Sequence, residues 1–178
     1  MKDWSKASLA EIVEHLEKHH LGLKEKLLEI SRILEQISAG SGKKCGNIVE
    51  SLQDFFAGFG PEMEKHFDRE ERILWPYIRQ MEDFSQTGSN RPDFHYGSIK
   101  NPISLIKYEH DRIENVMLDI MRTLAGDYKL PPDTDDDFSR LYDCLRNIEK
   151  EIREHIYLEN KILFPQVIEL ELQTMHSR

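Results

Sequence analysis

Four stretches of the chain carry apolar residues at steps of three and four, the spacing that lines one face of an α-helix. In the first, Leu16, Leu23, Leu27, Ile30, Leu34 and Ile37 fall into register once His20 is included. Ser8-Leu9-Ala10-Glu11 opens this stretch as a capping box, and Ala39-Gly40-Ser41-Gly42 ends it. The second begins with Ile48, Leu52, Phe55 and Phe59, then passes through Glu62, His66 and Glu70 to Ile73 and Tyr77. Gly60-Pro61 and Pro76 are each expected to kink or briefly break it. The third opens at Asn101-Pro102, an N-cap followed by proline, and runs through Ile103, Ile106, His110, Ile113, Met117, Ile120 and Leu124 to Gly126. The fourth follows Thr134, with aspartates in its first turn where the helix dipole favours them. Its stripe is Leu141, Leu145, Ile148, Ile152, His155, Glu159 and Ile162.

These stripes predict helices over about 8–39, 45–84, 102–126 and 135–172, with a long polar loop from Phe84 to Lys100. Four amphipathic helices with such connections predict an all-α, antiparallel four-helix bundle, with 1–178 as a single domain. The halves also repeat. His20 and His66 lie 46 positions apart, and His110 and His155 lie 45 apart. Leu23, Leu27, Ile30 and Leu34 follow His20 at the offsets at which Ile113, Met117, Ile120 and Leu124 follow His110. The chain therefore reads as a duplicated helical hairpin.

Composition changes this picture little. Hydrophobic residues make up 39% and charged ones 32% of 178 residues, as in a water-exposed helical protein. The formal charge of -9 argues against nucleic acid or an anionic membrane as partner. Met1-Lys2-Asp3-Trp4-Ser5-Lys6 has no apolar run, so no secretory signal is expected and the cytoplasm is the default location. Cys45 and Cys144 belong to no CxxC pair and read as free thiols in a reducing compartment.

The chemistry lies in the polar positions of the stripes. Each helix contributes one histidine, His20, His66, His110 and His155, and two helices add Glu70 and Glu159 four residues after theirs. Positions four apart share a helix face, so each His-x-x-x-Glu aims an imidazole and a carboxylate at one point. An unpaired ionised carboxylate in an apolar core costs several kcal/mol, and no lysine or arginine occupies these stripes. Metal cations would offset that cost; the alternative is a hydrogen-bonded polar core in a structural bundle. Four imidazoles and two carboxylates are too many for one four-coordinate zinc. Shared between two ions, they give two histidines to each, with both glutamates able to bridge. Nitrogen and oxygen donors without thiolate suit iron or manganese, and the imidazole count favours iron. The Glu-x-x-His order of ferritin-like bundles does not match.

The two segments His66-Phe67-Asp68-Arg69-Glu70-Glu71-Arg72-Ile73-Leu74-Trp75-Pro76 and His155-Ile156-Tyr157-Leu158-Glu159-Asn160-Lys161-Ile162-Leu163-Phe164-Pro165 share His, Glu, Ile-Leu, aromatic and Pro at equal spacing. With His19-His20 ahead of them and Glu109-His110-Asp111 between, this pattern resembles the haemerythrin-like (HHE cation-binding) domain. Within that family it is most similar to the iron-centre repair (RIC) proteins, which act on iron–sulfur clusters damaged by nitric oxide or oxidants. The similarity covers nearly the whole chain. By position it implies His20, His66, Glu70, His110, His155 and Glu159 as ligands of two iron ions, oxo- and carboxylate-bridged, with manganese or zinc as substitutes. It implies repair of iron–sulfur centres under nitrosative or oxidative stress, with damaged iron–sulfur proteins as partners. The rival function is binding or sensing of a diatomic gas, oxygen or nitric oxide, without repair. Repair proteins of this kind often carry a short N-terminal Cys-Cys domain, which this sequence lacks. Oxygen-carrying haemerythrins use five histidines, and no fifth one matches here.

In the resembling proteins, glutamates at the positions of Glu62 and Glu109 line an access route to the irons; ordinary solvated glutamates are the alternative. Glu151, one turn before His155, could orient that imidazole or lie on the surface. His15, His19, His95 and His176 are expected to face solvent, and Trp75 and Phe164 to fill the core.

Overall fold

Four long helices and no strand make up the described residues of the computed structural model, 3–40, 46–88, 90–132 and 135–176. Helix α1 spans Leu9–Ala39. Helix α2 covers 46–87 as Gly46–Arg69, Glu70–Leu74 and Trp75–Thr87. Helix α3 covers 100–124 as Lys100–Arg112, Ile113–Met117 and Leu118–Leu124. Helix α4 covers 136–176 as Asp136–Leu158, Glu159–Leu163 and Phe164–His176. The architecture is the expected all-α, antiparallel four-helix bundle built as a duplicated hairpin. Among the described residues, no helix is long and apolar enough to cross a membrane. Ser41-Gly42, Cys45 and Thr134 lie outside the described residues, as does the His176 side chain.

The middle segments of α2, α3 and α4 are π-helical turns. The Trp75, Leu118 and Phe164 N–H groups donate five residues back, to the carbonyls of Glu70, Ile113 and Glu159. Pro76 and Pro165 come two residues after the ends of two of these turns. Proline lacks an N–H and its ring collides with the carbonyl four residues back, a clash that the wider turn relieves. Helix α3 makes its π turn with no proline after it. Pro61 sits inside the segment Gly46–Arg69 without breaking it.

Each π turn holds one extra residue, so the buried face slips by one position beyond it. Leu74 is buried while Ile73 is half-buried, and Leu163 is buried while Ile162 is half-buried. In α3, Leu118 and Met121 are fully buried; Met117 is half-buried and Ile120 is 45% exposed. The early part of α2 also differs from expectation. Leu52 and Phe59 are buried as expected, but Val49, Phe56 and Met63 are buried where the spacing pointed to Ile48, Phe55 and Glu62.

The chain divides into two compact units, one of Met1–His20, Lys65–His110 and Glu154–Arg178, the other of Leu21–Glu64 and Asp111–Arg153. In the first, Ile12, Leu16, Leu74, Trp75, Ile103 and Phe164 belong to a single apolar cluster. The α1 N-terminus is fixed there twice. Ser8 Oγ accepts from Glu11 N–H at 3.2 Å and Glu11 returns the bond at 3.0 Å, the expected capping box. The Glu82 carboxylate accepts from the Leu9 and Ala10 N–H groups at 2.8 and 2.9 Å. In the second unit, Leu23, Ile30, Leu52, Phe59, Leu141 and Leu145 are among the fully or nearly fully buried residues. Buried Glu149 accepts there from Arg122, Tyr128 and Arg153.

The connection between α2 and α3 is anchored to the first unit. Gly88 adopts φ 68, the left-handed conformation that ends a helix without a Cβ penalty. Phe94 then stacks on Tyr77 with ring centroids 4.0 Å apart. Glu171 on α4, 2% exposed, accepts from Ser98 Oγ at 2.6 Å, Ile99 N–H at 2.9 Å and Tyr77 O–H at 3.0 Å. Helix α3 starts at Lys100, whose N–H is capped by Ser98 Oγ at 3.2 Å rather than by the expected Asn101. Asp135 caps α4, accepting from Phe138 N–H at 3.0 Å.

Candidate metal centre

All six residues singled out by the stripes lie in the first unit and converge there. His20, Glu70, His110 and Glu159 are 0% exposed, His66 is 2% and His155 is 3% exposed. Helix geometry explains the pairing: His66 and Glu70, and His155 and Glu159, sit one turn apart on the inner faces of α2 and α4. Each glutamate is also the first residue of a π turn, a backbone feature frequent at functional sites.

The two carboxylates stand between two pairs of histidines. Glu70 Oε2 lies 3.3 Å from His20 Nε2, while its Oε1 lies 3.4 Å from His66 Nε2 and 3.6 Å from His110 Nε2. Glu159 Oε1 lies 3.1 Å from His155 Nε2, and its Oε2 lies 3.0 Å from His110 Nε2. Two groups result, His20, Glu70, His155 and Glu159, and His66, Glu70, His110 and Glu159; within each, ligand atoms lie within 4.8 Å of one another. Both groups share both glutamates, and each glutamate offers one oxygen to each group.

The opposite nitrogen of every imidazole is held from outside. His20 donates through Nδ1 to Glu71 Oε1 at 2.8 Å, and His66 to Glu109 Oε2 at 2.9 Å. His110 donates to Asn160 Oδ1 at 3.0 Å, and His155 Nδ1 lies 3.2 Å from His19 Nδ1. Such contacts orient the rings so that all four Nε2 atoms face inward, and the oxygen acceptors of His20, His66 and His110 make Nδ1 a protonated nitrogen there. They also follow the repeat. Glu71 and Asn160 directly follow the glutamates, while His19 and Glu109 directly precede the histidines of α1 and α3. Of these four only Glu109 was singled out from the sequence. The duplicated motif held the signal for Glu71 and Asn160, which occupy the same place in the two copies.

The other expectations divide. Glu62 pairs with Arg112 at 2.9 Å, and Glu151 with Lys26. His15 and His95 are exposed as expected, but His19 is half-buried against His155. Trp75 and Phe164 are fully buried.

The protein's own charges hold one another in place. Burial works against ionised Glu70, but the neighbouring His66, His110 and His20 hold its carboxyl well below the usual range. Burial likewise opposes charge on His110, which Glu159 and Glu70 nonetheless push up to about 10. Glu109 is lowered against burial by its bonds from His66 and Arg69. Despite these approaches, His66 Nε2, His110 Nε2 and all four oxygens of Glu70 and Glu159 have no hydrogen-bond partner. Six buried polar atoms left unpartnered in one place are far from the ordinary pattern of protein interiors. They fit a group that is bound by lone pairs.

A family model agrees with this donor set, matching residues 11–167 to the Hemerythrin HHE cation binding domain. The chain belongs to that family. Among its relatives are the iron-sulfur cluster repair proteins YtfE of Salmonella schwarzengrund (strain CVM19633) and Salmonella newport (strain SL254). Each is 26% identical over 172 residues, covering 94% of this chain and 70% of the relative.

Proposed function

We propose that this haemerythrin-like chain is a di-iron protein of the cytoplasm that repairs or protects iron–sulfur centres under nitrosative or oxidative stress. The observation that carries the reading is the set of six unpartnered buried donor atoms, divided between two groups that share both carboxylates. His20 and His155 would hold one ion, His66 and His110 the other, and Glu70 and Glu159 would bridge them. Imidazole and carboxylate donors without thiolate suit iron, with manganese or zinc as substitutes. Similarity to proteins named for iron–sulfur cluster repair supports the same direction, with damaged iron–sulfur proteins as the partners. The matched span supports a single haemerythrin-like domain.

Bound there, iron supplies one-electron chemistry and an exchangeable store of metal. The protein's part is to set the conditions. Glu71, Glu109, Asn160 and His19 hold the four imidazoles with their Nε2 atoms aimed inward. The apolar surroundings, with Phe67, Trp75 and Phe164 fully buried, exclude bulk water. Arg69, donating to Glu109 at 3.3 Å, stabilises the charge that orients His66.

Metal analysis after iron-replete expression should return two irons per chain. The loaded protein should speed recovery of a nitric-oxide-damaged iron–sulfur enzyme in extracts, and His155→Ala should not. One zinc per chain, or none, would sink the di-iron reading. A reversible oxygen adduct with no effect on the damaged enzyme would favour gas binding or sensing instead.

A further inference from the structure

From solvent to the buried centre, three histidines form a graded series in the first unit. His15 is exposed, His19 is half-buried and His155 is buried. His15 and His19 stand one turn apart on α1 with parallel rings, centroids 6.0 Å apart and 8° between planes. His19 then meets His155 nitrogen to nitrogen at 3.2 Å, with ring centroids 5.3 Å apart. The outer end is braced, because Trp4 stacks on His15 at 4.3 Å. The 3-10 turn Trp4–Lys6 that carries Trp4 is itself capped by Asp3, which accepts from Ser5 N–H at 3.2 Å.

We propose that His15 and His19 form an outer site for a divalent transition-metal cation, through which the His20–His155 half of the centre exchanges its metal. Imidazole is the commonest side-chain ligand for such cations, and two imidazoles at i and i+4 can face one ion. A site enclosed by apolar side chains needs an access path, and this series leads from solvent to a ligand of the core. His155 joins the two: its Nδ1 faces His19 and its Nε2 faces Glu159. Two imidazoles hold such an ion weakly, which suits a cation in transit. The exchange role rests on the di-iron reading; the outer site does not.

The test uses the whole chain and two readouts. Copper(II), the divalent ion that nitrogen ligands hold most tightly, should quench Trp4 emission when bound at His15. His15→Ala and Trp4→Phe should each lose that component of the quenching, and His95→Ala, altered at an exposed loop histidine, should keep it. Chelator-stripped His15→Ala, given iron(II) without oxygen, should reach the wild-type iron content several-fold more slowly. Undiminished quenching in His15→Ala overturns the outer site. Equal uptake rates, or a lower final iron content, overturn the exchange role. If the wild-type chain takes up no iron, the di-iron reading fails and the exchange role with it, while the copper arm still decides the outer site.

Discussion

His110 donates its Nδ1 hydrogen to Asn160 Oδ1 at 3.0 Å, the residue directly after Glu159 on α4. In the other copy of the motif Glu71 directly follows Glu70 and accepts from His20 at 2.8 Å. One small sequence unit thus supplies both a candidate bridging carboxylate and the clamp for an imidazole on another helix. The two copies differ in charge: Asn160 offers His110 an uncharged amide oxygen, whereas Glu71 brings a carboxylate, 32% exposed, to His20.

Removing either clamp should weaken metal binding without abolishing it. Partners of this kind typically alter metal affinity by about 10–100-fold. Asn160→Ala and Glu71→Ala should therefore lose iron to a competing chelator at lower chelator concentrations than wild type. Glu62→Ala and Glu151→Ala should match wild type, because those carboxylates are engaged with Arg112 and Lys26. Equal losses in all four variants would show that the imidazole clamps have no special role.

A second prediction concerns pH in protein stripped of metal. His110, pushed up to about 10 from an ordinary 6.5, contributes stability fully below 6.5 and loses it as pH rises through about 10. Glu70, held well below 4.5, contributes above 4.5 and loses its contribution as pH falls through its lowered value. The stripped protein should therefore unfold at its highest temperature between these limits. Loading near neutral pH must displace the His110 proton, since a ligating imidazole nitrogen carries none. Calorimetric binding heats should then vary with the ionisation enthalpy of the buffer. Identical heats in every buffer would contradict a protonated His110.

Glu171 gives a third prediction, away from the centre. It is 2% exposed and accepts from Tyr77, Ser98 and Ile99, and with burial it pushes the Tyr77 hydroxyl up to about 12. Glu171→Ala leaves three donors without their acceptor, which should lower unfolding free energy by about 3 kcal/mol. Iron content should stay at the wild-type level, since none of the six converging residues contacts Glu171 in the bonds it makes. Proteolysis between 88 and 99 should become faster as the connection loosens. An unchanged unfolding midpoint would mean that solvent replaces these bonds.

Much of the centre was legible because its signal is local. The His-x-x-x-Glu spacing reports a shared helix face whatever the tertiary structure, and the duplication marks both copies. Glu71 and Asn160 escaped because a polar residue beside a glutamate looks like surface until the facing helix is known. His19 escaped for a similar reason: its half-burial arises from α4, which is distant in sequence. Helix positions past the centre were misread on different grounds. Counting by threes and fours presumes an unbroken α-helical period, and a π turn adds a residue without a composition signal when, as in α3, no proline follows.

That slip in α3 can be tested directly. An unbroken period puts Met117, Ile120 and Leu124 on the buried face, whereas the π turn Ile113–Met117 puts Leu118, Met121 and Ala125 there. Leu118 is 0% and Ile120 is 45% exposed. Truncating a buried leucine typically costs about 2–5 kcal/mol through lost burial and the cavity left behind. An exposed surface position typically changes stability by no more than about 0.5 kcal/mol. Leu118→Ala should therefore shift the denaturant midpoint far more than Ile120→Ala, although the unbroken pattern assigns them the opposite roles. The two substitutions share helix and fold, so helix propensity contributes little to the contrast, alanine being the best helix former in both cases. A larger loss in Ile120→Ala would mean that α3 keeps a regular period through Ile113–Met117 in solution.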